Sequence, residues 1–394
     1  MAEQGKPIVV GVPKETFPGE RRVALIADVI PSVIKSGAEV LVESGAGGGA
    51  GILDENYTRK GAKIVSRDEV FAKSDVVFQV RTFGANPDAG RADLGRVRQG
   101  QIVIGLTESL SDPALSREFA KCGGTVFSLE LVPRITRAQS MDVLSSMATI
   151  AGYKAIIMAA EILPKFFPMF MTAAGTIAPA RVFIVGVGVA GLQAISTAKR
   201  LGAVVSAYDI RPAVKDQVKS VGAKFVELEL EAGDAEDKGG YAKAMGEEFY
   251  RKQREMMMKV VKEHDVVVTT AAVPGKKAPI LVTGEMVKGM NPGSVIVDLA
   301  AERGGNCELT KPGETVQAYG VTIMGPLNLP STVSYHASQM YSKNITAFFQ
   351  NMVKDGAVNL NMEDEIIRDT MITKGGEIVS PRIKELLGVA QTGA

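Results

Sequence analysis

Short apolar runs rich in valine and isoleucine recur along most of the chain, separated by amphipathic stretches. The runs predict strands at residues 8–12, 39–42, 76–80, 102–106 and 125–129. A second set falls at 182–185, 204–207, 224–226, 266–270, 294–298 and 321–324. Helical patterns such as 27–36 and 285–290 lie between them. Uninterrupted apolar strands that alternate with helices belong to parallel sheets covered on both faces. Two such sets predict an α/β chain of two doubly wound parallel-sheet domains, with an interdomain cleft.

Residues 142–167 carry a long apolar helical pattern that links the two sets. After Pro330 the chain is helical again over 334–354, and this stretch is expected to pack back on the first domain. The first domain is then discontinuous, 1–142 plus 331–394, and the second runs over 143–330. Residues 360–394 show weak periodicity and are expected to be mostly irregular. Residues 227–245 read ELELEAGDAEDKGGYAKAM, acidic, glycine-containing and poor in large apolar groups. Such a segment buries little surface, so 227–246 is expected to be a mobile loop near the C-terminal edge of the second sheet. Tyr241, after Gly239 and Gly240, is its one aromatic; a lid over a ligand and a plain surface loop both fit.

The 394 residues suffice for two or three domains. A formal net charge of +1 offers no electrostatic reason to bind nucleic acid or a membrane surface. Two cysteines, Cys122 and Cys307, fit a reducing compartment and form neither a metal-spaced cluster nor a disulfide framework. The N-terminus lacks the basic and apolar regions of a signal peptide. The most apolar stretch, 155–180, is interrupted by Glu161, Pro164, Lys165 and Pro168, so no membrane insertion is expected.

The second set of strands opens with the chemistry. An apolar strand runs into Gly186-Val187-Gly188-Val189-Ala190-Gly191, an amphipathic helix follows, and the next strand ends in Asp209. This is a βαβ unit with G-x-G-x-x-G at its first turn and an acid about 20 residues on, the arrangement that binds a dinucleotide. Gly186 serves the tight turn, Gly188 the approach of a pyrophosphate, and Gly191 the close packing of helix on strand. The helix N-terminus offers N–H groups and a partial positive charge. Asp209 can accept hydrogen bonds from ribose hydroxyls and would repel a 2′-phosphate, which favours NAD(H). Arg211 qualifies this, as a phosphate ligand, a loop cation or a group packed over adenine. The candidate cofactor contacts here are Gly186, Gly188, Val189, Gly191, Asp209, Ile210 and Arg211, and both domains read as Rossmann-like.

Proton-transfer groups are scarce. Of two histidines, His264 ends a helix where a cation would suit the dipole, and His336 begins the helix after Pro330, as a cap or a packed residue. Hydride transfer between two nicotinamides moves no proton and needs only positioning. A polar stretch, Arg134-Ile-Thr-Arg-Ala-Gln139-Ser-Met-Asp142 with Ser145 and Ser146, follows a strand and opens the long helix. Arg134, Gln139 and Asp142 can face one space, or Asp142 or Ser140 can simply cap the helix. The glycine run 45–51 imitates the dinucleotide fingerprint, but a short polar segment follows it, so it is expected to be a flexible turn. Met256 to Met258 and the cluster Phe166 to Met171 are expected in the core.

Long ordered matches then become recognisable: GVPKE (11–15), GERRVAL (19–25), PRITRAQSMDVLSS (133–146), MTAAGTIAPARV (171–182), GVGVAGLQAI (186–195), GGYAKAMGEEF (239–249), TTAAVPGKKAP (269–279) and VDLAAERGGNC (297–307). The chain resembles, over nearly its full length, the NAD(H)-binding component of the proton-translocating nicotinamide nucleotide transhydrogenases. The same architecture occurs in alanine dehydrogenases. Those carry a catalytic histidine at the end of the strand corresponding to 102–106, where this chain has Thr107-Glu108, and an aspartate where it has Glu302; their substrate-binding arginine is retained as Arg22.

The transhydrogenase resemblance implies that Arg134, Gln139, Asp142 and Ser145 hold the nicotinamide and its ribose, with Gln139 bringing two nicotinamides together. It implies that Gly240 and Tyr241 belong to a loop closing on the nucleotide, and that Gln253 and Ala272 are further contacts. It also implies a homodimer in the cytoplasm, peripheral on the inner membrane. There it would dock on an NADP(H)-binding component and a membrane-spanning proton channel. Alanine dehydrogenase and a non-catalytic NAD-sensing module are the competing readings.

Overall fold

The computed structural model describes residues 6–227, 247–273 and 275–388. The chain divides into two compact units, Met1–Met147 with Ser331–Ala394, and Ala148–Pro330.

In the first unit β1 (Ile8–Val12), β2 (Ala38–Glu43), β3 (Lys63–Val65), β4 (Val76–Arg81), β5 (Ile102–Leu106) and β6 (Thr125–Ser128) form a parallel sheet in the order β3-β2-β1-β4-β5-β6. The order reverses between β1 and β4, as in doubly wound folds. Both faces are covered, which is why the strands read as unbroken apolar runs. Val77, Val103 and Val126 pack with Phe71 and Phe119 on one face. On the other, Phe78 and Phe127 meet Phe349 and Phe348 edge to face at 5.5 Å.

The helix Val143–Ile162 leads into the second unit. Among the described helices it alone is long and apolar enough to cross a membrane by length and composition. Ala155, Ile156 and Ala159 on it are fully buried in the second unit's core. Next, β7 (Phe170–Thr172) and β8 (Gly175–Ile177) make an antiparallel hairpin. It corrects the expected core cluster. Phe167 is buried, but Phe166, Met169, Phe170 and Met171 are exposed, because a two-stranded hairpin has no sheet face to bury them against.

The second sheet holds β9 (Arg181–Val185), β10 (Val204–Tyr208), β11 (Lys224–Phe225), β12 (Val266–Thr269), β13 (Val295–Asp298), β14 (Thr315–Ala318) and β15 (Val321–Met324). Its order is β11-β10-β9-β12-β13-β15-β14, all parallel except the edge strand β14. Along β9, Val182 and Ile184 enter one core and Phe183 and Val185 the other. The edge strands β3 and β14 escaped the sequence pattern because they are partly exposed and carry polar residues.

After Pro330 the helix Ser334–Asn351 returns to the first unit, followed by the small hairpin β16 (Val353–Lys354) and β17 (Ala357–Val358). Over the described residues 360–388 the expected irregular tail instead forms regular elements. A helix Glu365–Thr370, β18 (Met371–Lys374), β19 (Glu377–Ile378) and a helix Pro381–Leu386 follow in turn. β18 pairs antiparallel with β6, extending the first sheet, and Ile372 and Ile383 are buried in its core. The elements are too short to show a period in sequence, and a partner strand far along the chain completes them.

Serines on the returning helix and just before it hold the segment Arg21 to Ile26 that follows β1. Ser331 Oγ accepts from Arg21 N at 2.7 Å, Ser338 Oγ from Val23 N at 3.0 Å, and Ser342 Oγ from Ile26 N at 2.8 Å. Ser334 Oγ donates to Gly49 O at 2.9 Å, and a Cβ on Gly49 would lie 2.8 Å from Arg21 O. The glycine run 45–51 is therefore a packed turn rather than a flexible one, with Gly47 and Gly49 admitting the backbone of Ile52 and Arg21.

Candidate functional site

The glycine turn of the second unit has the predicted geometry. Gly186 sits at φ +98°, where a side chain would be strained, and a Cβ on it would meet Thr270 Oγ1 at 2.6 Å. A Cβ on Gly191 would strike Gly186 O at 2.0 Å, so the helix Val189–Arg200 packs on the turn as only glycine permits. Gly188 has open space where its Cβ would be. The helix N-terminus has no side-chain cap, and its first internal bond is Leu192 N to Gly188 O. The N–H groups ahead of Leu192 lack intrahelical acceptors, as at any helix start, and such a terminus suits a phosphate. Gly152 adds a contact that sequence reasoning missed, since a Cβ there would lie 2.1 Å from Ala190 O. Only the close approach of two helix backbones discloses it.

Asp209 follows β10 and is bonded to the turn: Val187 N donates to its Oδ2 at 2.7 Å. Arg211 donates to it through N and Nε at 2.9 Å each and through Nη2 at 3.0 Å. The arginine is thus an ion-pair partner of Asp209, and Ile210 is half-buried against the adjacent core. Gln253 is fully buried, and its Nε2 donates to Tyr208 Oη at 2.8 Å, bracing the end of β10. Among the described residues its Oε1 has no hydrogen-bond partner. Ala272 is exposed beyond the end of β12, beside Thr270, whose Oγ1 donates to Gly186 O at 2.9 Å. Gly240 and Tyr241 lie outside the described residues, as does nearly all of the predicted loop 227–246.

The polar turn belongs to the first unit. Residues Thr136–Met141 form a 3-10 helix with Arg134 and Gln139 exposed. Asp142 accepts from Ser145 N at 2.8 Å and Ser145 Oγ at 2.6 Å, the bonding of an N-cap at the start of the long helix. Behind the turn, Arg137 Nη2 donates to Asp364 Oδ1 at 2.7 Å, and Asn344 Nδ2 donates to Ser140 O at 2.8 Å. The Arg137 bonds hold the Asp364 carboxyl well below the usual range. This support was invisible in sequence, because its partners lie more than 200 residues away.

Arg22 is engaged rather than open. Its Nε and Nη2 donate to Glu20 at 2.7 and 2.6 Å, and both side chains are almost fully buried. Burial pushes Glu20 up, but the hydrogen bonds and charge of Arg22 outweigh it and bring its pKa down to about 2. Glu15 accepts from Val80 N and Arg81 N at 2.6 and 3.1 Å; burial, reinforced by Glu20, raises it to about 8. At the end of β5 Glu130 Oε1 accepts from Thr107 N at 2.8 Å and Glu108 N at 2.5 Å. Glu302 Oε1 accepts from Asn328 N at 2.6 Å.

Neither histidine joins a site. His264 is buried against Phe183 with Nδ1 2.6 Å from Val260 O, and burial lowers its pKa. This corrects the expected helix-end cation. His336 is exposed beside the Tyr335 ring. Among the described residues no cluster of His, Cys, Asp and Glu could hold a metal.

Residues 11–151 match the profile of the alanine dehydrogenase/PNT N-terminal domain, and residues 155–381 that of the alanine dehydrogenase/PNT C-terminal domain. The chain is 46% identical over 378 residues to an NAD(P) transhydrogenase alpha-subunit protein of Rhodospirillum rubrum, covering 95% of this chain and 98% of that protein. Among solved structures, a transhydrogenase from Sinorhizobium meliloti superposes with a TM-score of 0.85 at 43% identity, covering 94% of this chain and 100% of that one. An L-alanine dehydrogenase superposes with a TM-score of 0.79 at 24% identity, covering 97% and 100%, and so shares the fold.

Proposed function

The chain belongs to the alanine dehydrogenase/PNT family, and from that premise we propose that it is the NAD(H)-binding component of a proton-translocating transhydrogenase. In this reading it exchanges hydride directly with NADP(H) held by a partner component. The observation that carries the reading is the uncapped helix N-terminus over Gly188, bonded through Val187 to Asp209. The turn fits a pyrophosphate, and the carboxylate fits ribose hydroxyls and opposes a 2′-phosphate. The nicotinamide supplies the hydride chemistry; the protein supplies position. Gln139 and Arg134 are exposed on a turn held from behind, and Asp142 and Ser145 orient one another at its end. These four take the nicotinamide and its ribose.

Three features disfavour the alanine dehydrogenase reading. The strand end that should bear a histidine bears Thr107 and Glu108, bonded to Glu130. Arg22 is neutralised by Glu20 and buried, leaving no open guanidinium for a substrate carboxylate. Glu302 is tied to the backbone of Asn328. The chain is further proposed to act as a homodimer in the cytoplasm, peripheral to the inner membrane through its NADP(H)-binding and proton-channel partners.

Mixing the purified chain with the NADP(H)-binding component and following hydride transfer to an NAD analogue tests this reading. Transfer above that of either component alone is expected. Binding without transfer in any mixture leaves the NAD-sensing module. NADH formation from alanine by this chain alone establishes the dehydrogenase.

A further inference from the structure

Asn306 is fully buried, and its side chain pairs with Ala271 as a neighbouring strand would. Ala271 N donates to Oδ1 at 2.9 Å and Nδ2 donates to Ala271 O at 2.9 Å. Nδ2 also reaches Pro279 O at 2.8 Å. One side chain therefore ties both ends of the excursion that the backbone makes after β12. Asn306 is itself fixed. Its N–H donates to Asp298 Oδ2 at 2.8 Å, and its carbonyl accepts from Leu281 N and Val282 N. Asp298 in turn receives Thr269 Oγ1, Thr310 Oγ1 and Cys307 N.

The sheet order says where this anchoring acts. β10, which leads to Asp209, and β12 flank β9 on opposite sides. With the adenosine ribose at Asp209 and the pyrophosphate over the glycine turn after β9, the other half of an extended dinucleotide passes over the end of β12. There Thr270 is bonded to Gly186 O and Ala272 is exposed. We propose that Asn306 is a positioning residue for the nicotinamide half of the cofactor. It sets the backbone of Ala271 to Val273, against which that half seats, and does not touch the nucleotide itself. The inference rests on the nucleotide assignment proposed above.

Two ligands separate the possibilities: NADH, and ADP-ribose, which lacks the nicotinamide. Both are titrated against the full chain and against Asn306→Asp and Asn306→Ser. The first variant keeps the acceptor and loses both donors; the second shortens the side chain without adding charge. In at least one variant the NADH dissociation constant is expected to rise about tenfold, the scale of one unmet buried polar group, while ADP-ribose binding changes less than about twofold. Equal losses for both ligands, or no loss for NADH in either variant, overturn the inference. Failure of the unaltered chain to bind either ligand overturns the nucleotide assignment instead.

Discussion

Arg211 lies across the carboxylate of Asp209, with Nε 2.9 Å from Oδ1 and Nη2 3.0 Å from Oδ2. With Val187 N and Arg211 N also donating, the carboxylate accepts four hydrogen bonds among the described residues. A ribose that engages Asp209 must share these oxygens with the guanidinium or displace it. Asp209→Asn keeps the shape but weakens the acceptor and the ion pair. It is expected to weaken NADH binding by about 1–3 kcal/mol, measured by calorimetric titration. Unchanged affinity removes Asp209 from the site.

Gln139 is exposed on a turn whose anchoring comes from Arg137 and Ser140. Gln139→Asn should leave thermal stability nearly unchanged and slow hydride transfer on the order of 10²-fold, since a displacement of about 1 Å can cost that much. Stopped-flow transfer with the NADP(H)-binding component present is the measurement. A rate equal to that of the parent chain takes Gln139 out of the positioning role.

Ser338 is fully buried and is the acceptor for Val23 N. Ser338→Ala leaves that N–H unmet and is expected to cost about 1–3 kcal/mol in urea denaturation. A cost well under about 0.5 kcal/mol would show that the serine row does not hold the segment carrying Arg22.

Glu15 introduces a pH dependence. Its pKa is about 8 in the fold against 4.5 in the free chain, because burial penalises the charged form. Its contribution to stability is fully present below pH 4.5, where both states hold the proton. It falls as pH rises toward 8, because the unfolded chain releases a proton that the folded one keeps. Glu15→Gln should flatten the loss across that window, which denaturation midpoints at several pH values will measure. An unchanged slope assigns the dependence to other groups.

The parallel strands and the glycine turn were legible because their signals are local. A strand buried on both faces must be apolar at every position, as β9 is from Val182 to Val185, and the strained φ of Gly186 is a property of one residue. Segments whose burial is decided by a distant partner were not legible. Phe166 to Met171 look like core but extend into an exposed hairpin, and β18 has no visible period but joins β6.

The candidate site divides in the same way. Sequence alone determined the two α/β units, through their recurring apolar strands, and it offered the glycine turn, Asp209 and the polar stretch from Arg134 to Ser145 as the proposed site, since each of these is a short run whose residue types and spacing suggest the chemistry. Tertiary structure decided what supports them: Arg211 on Asp209, Asp364 behind Arg137, Ser338 under Val23 and Asn306 on Ala271. A hydrogen bond needs its partners within about 3 Å in space, whatever their separation along the chain. All but the first of these pairs join residues at least 35 positions apart.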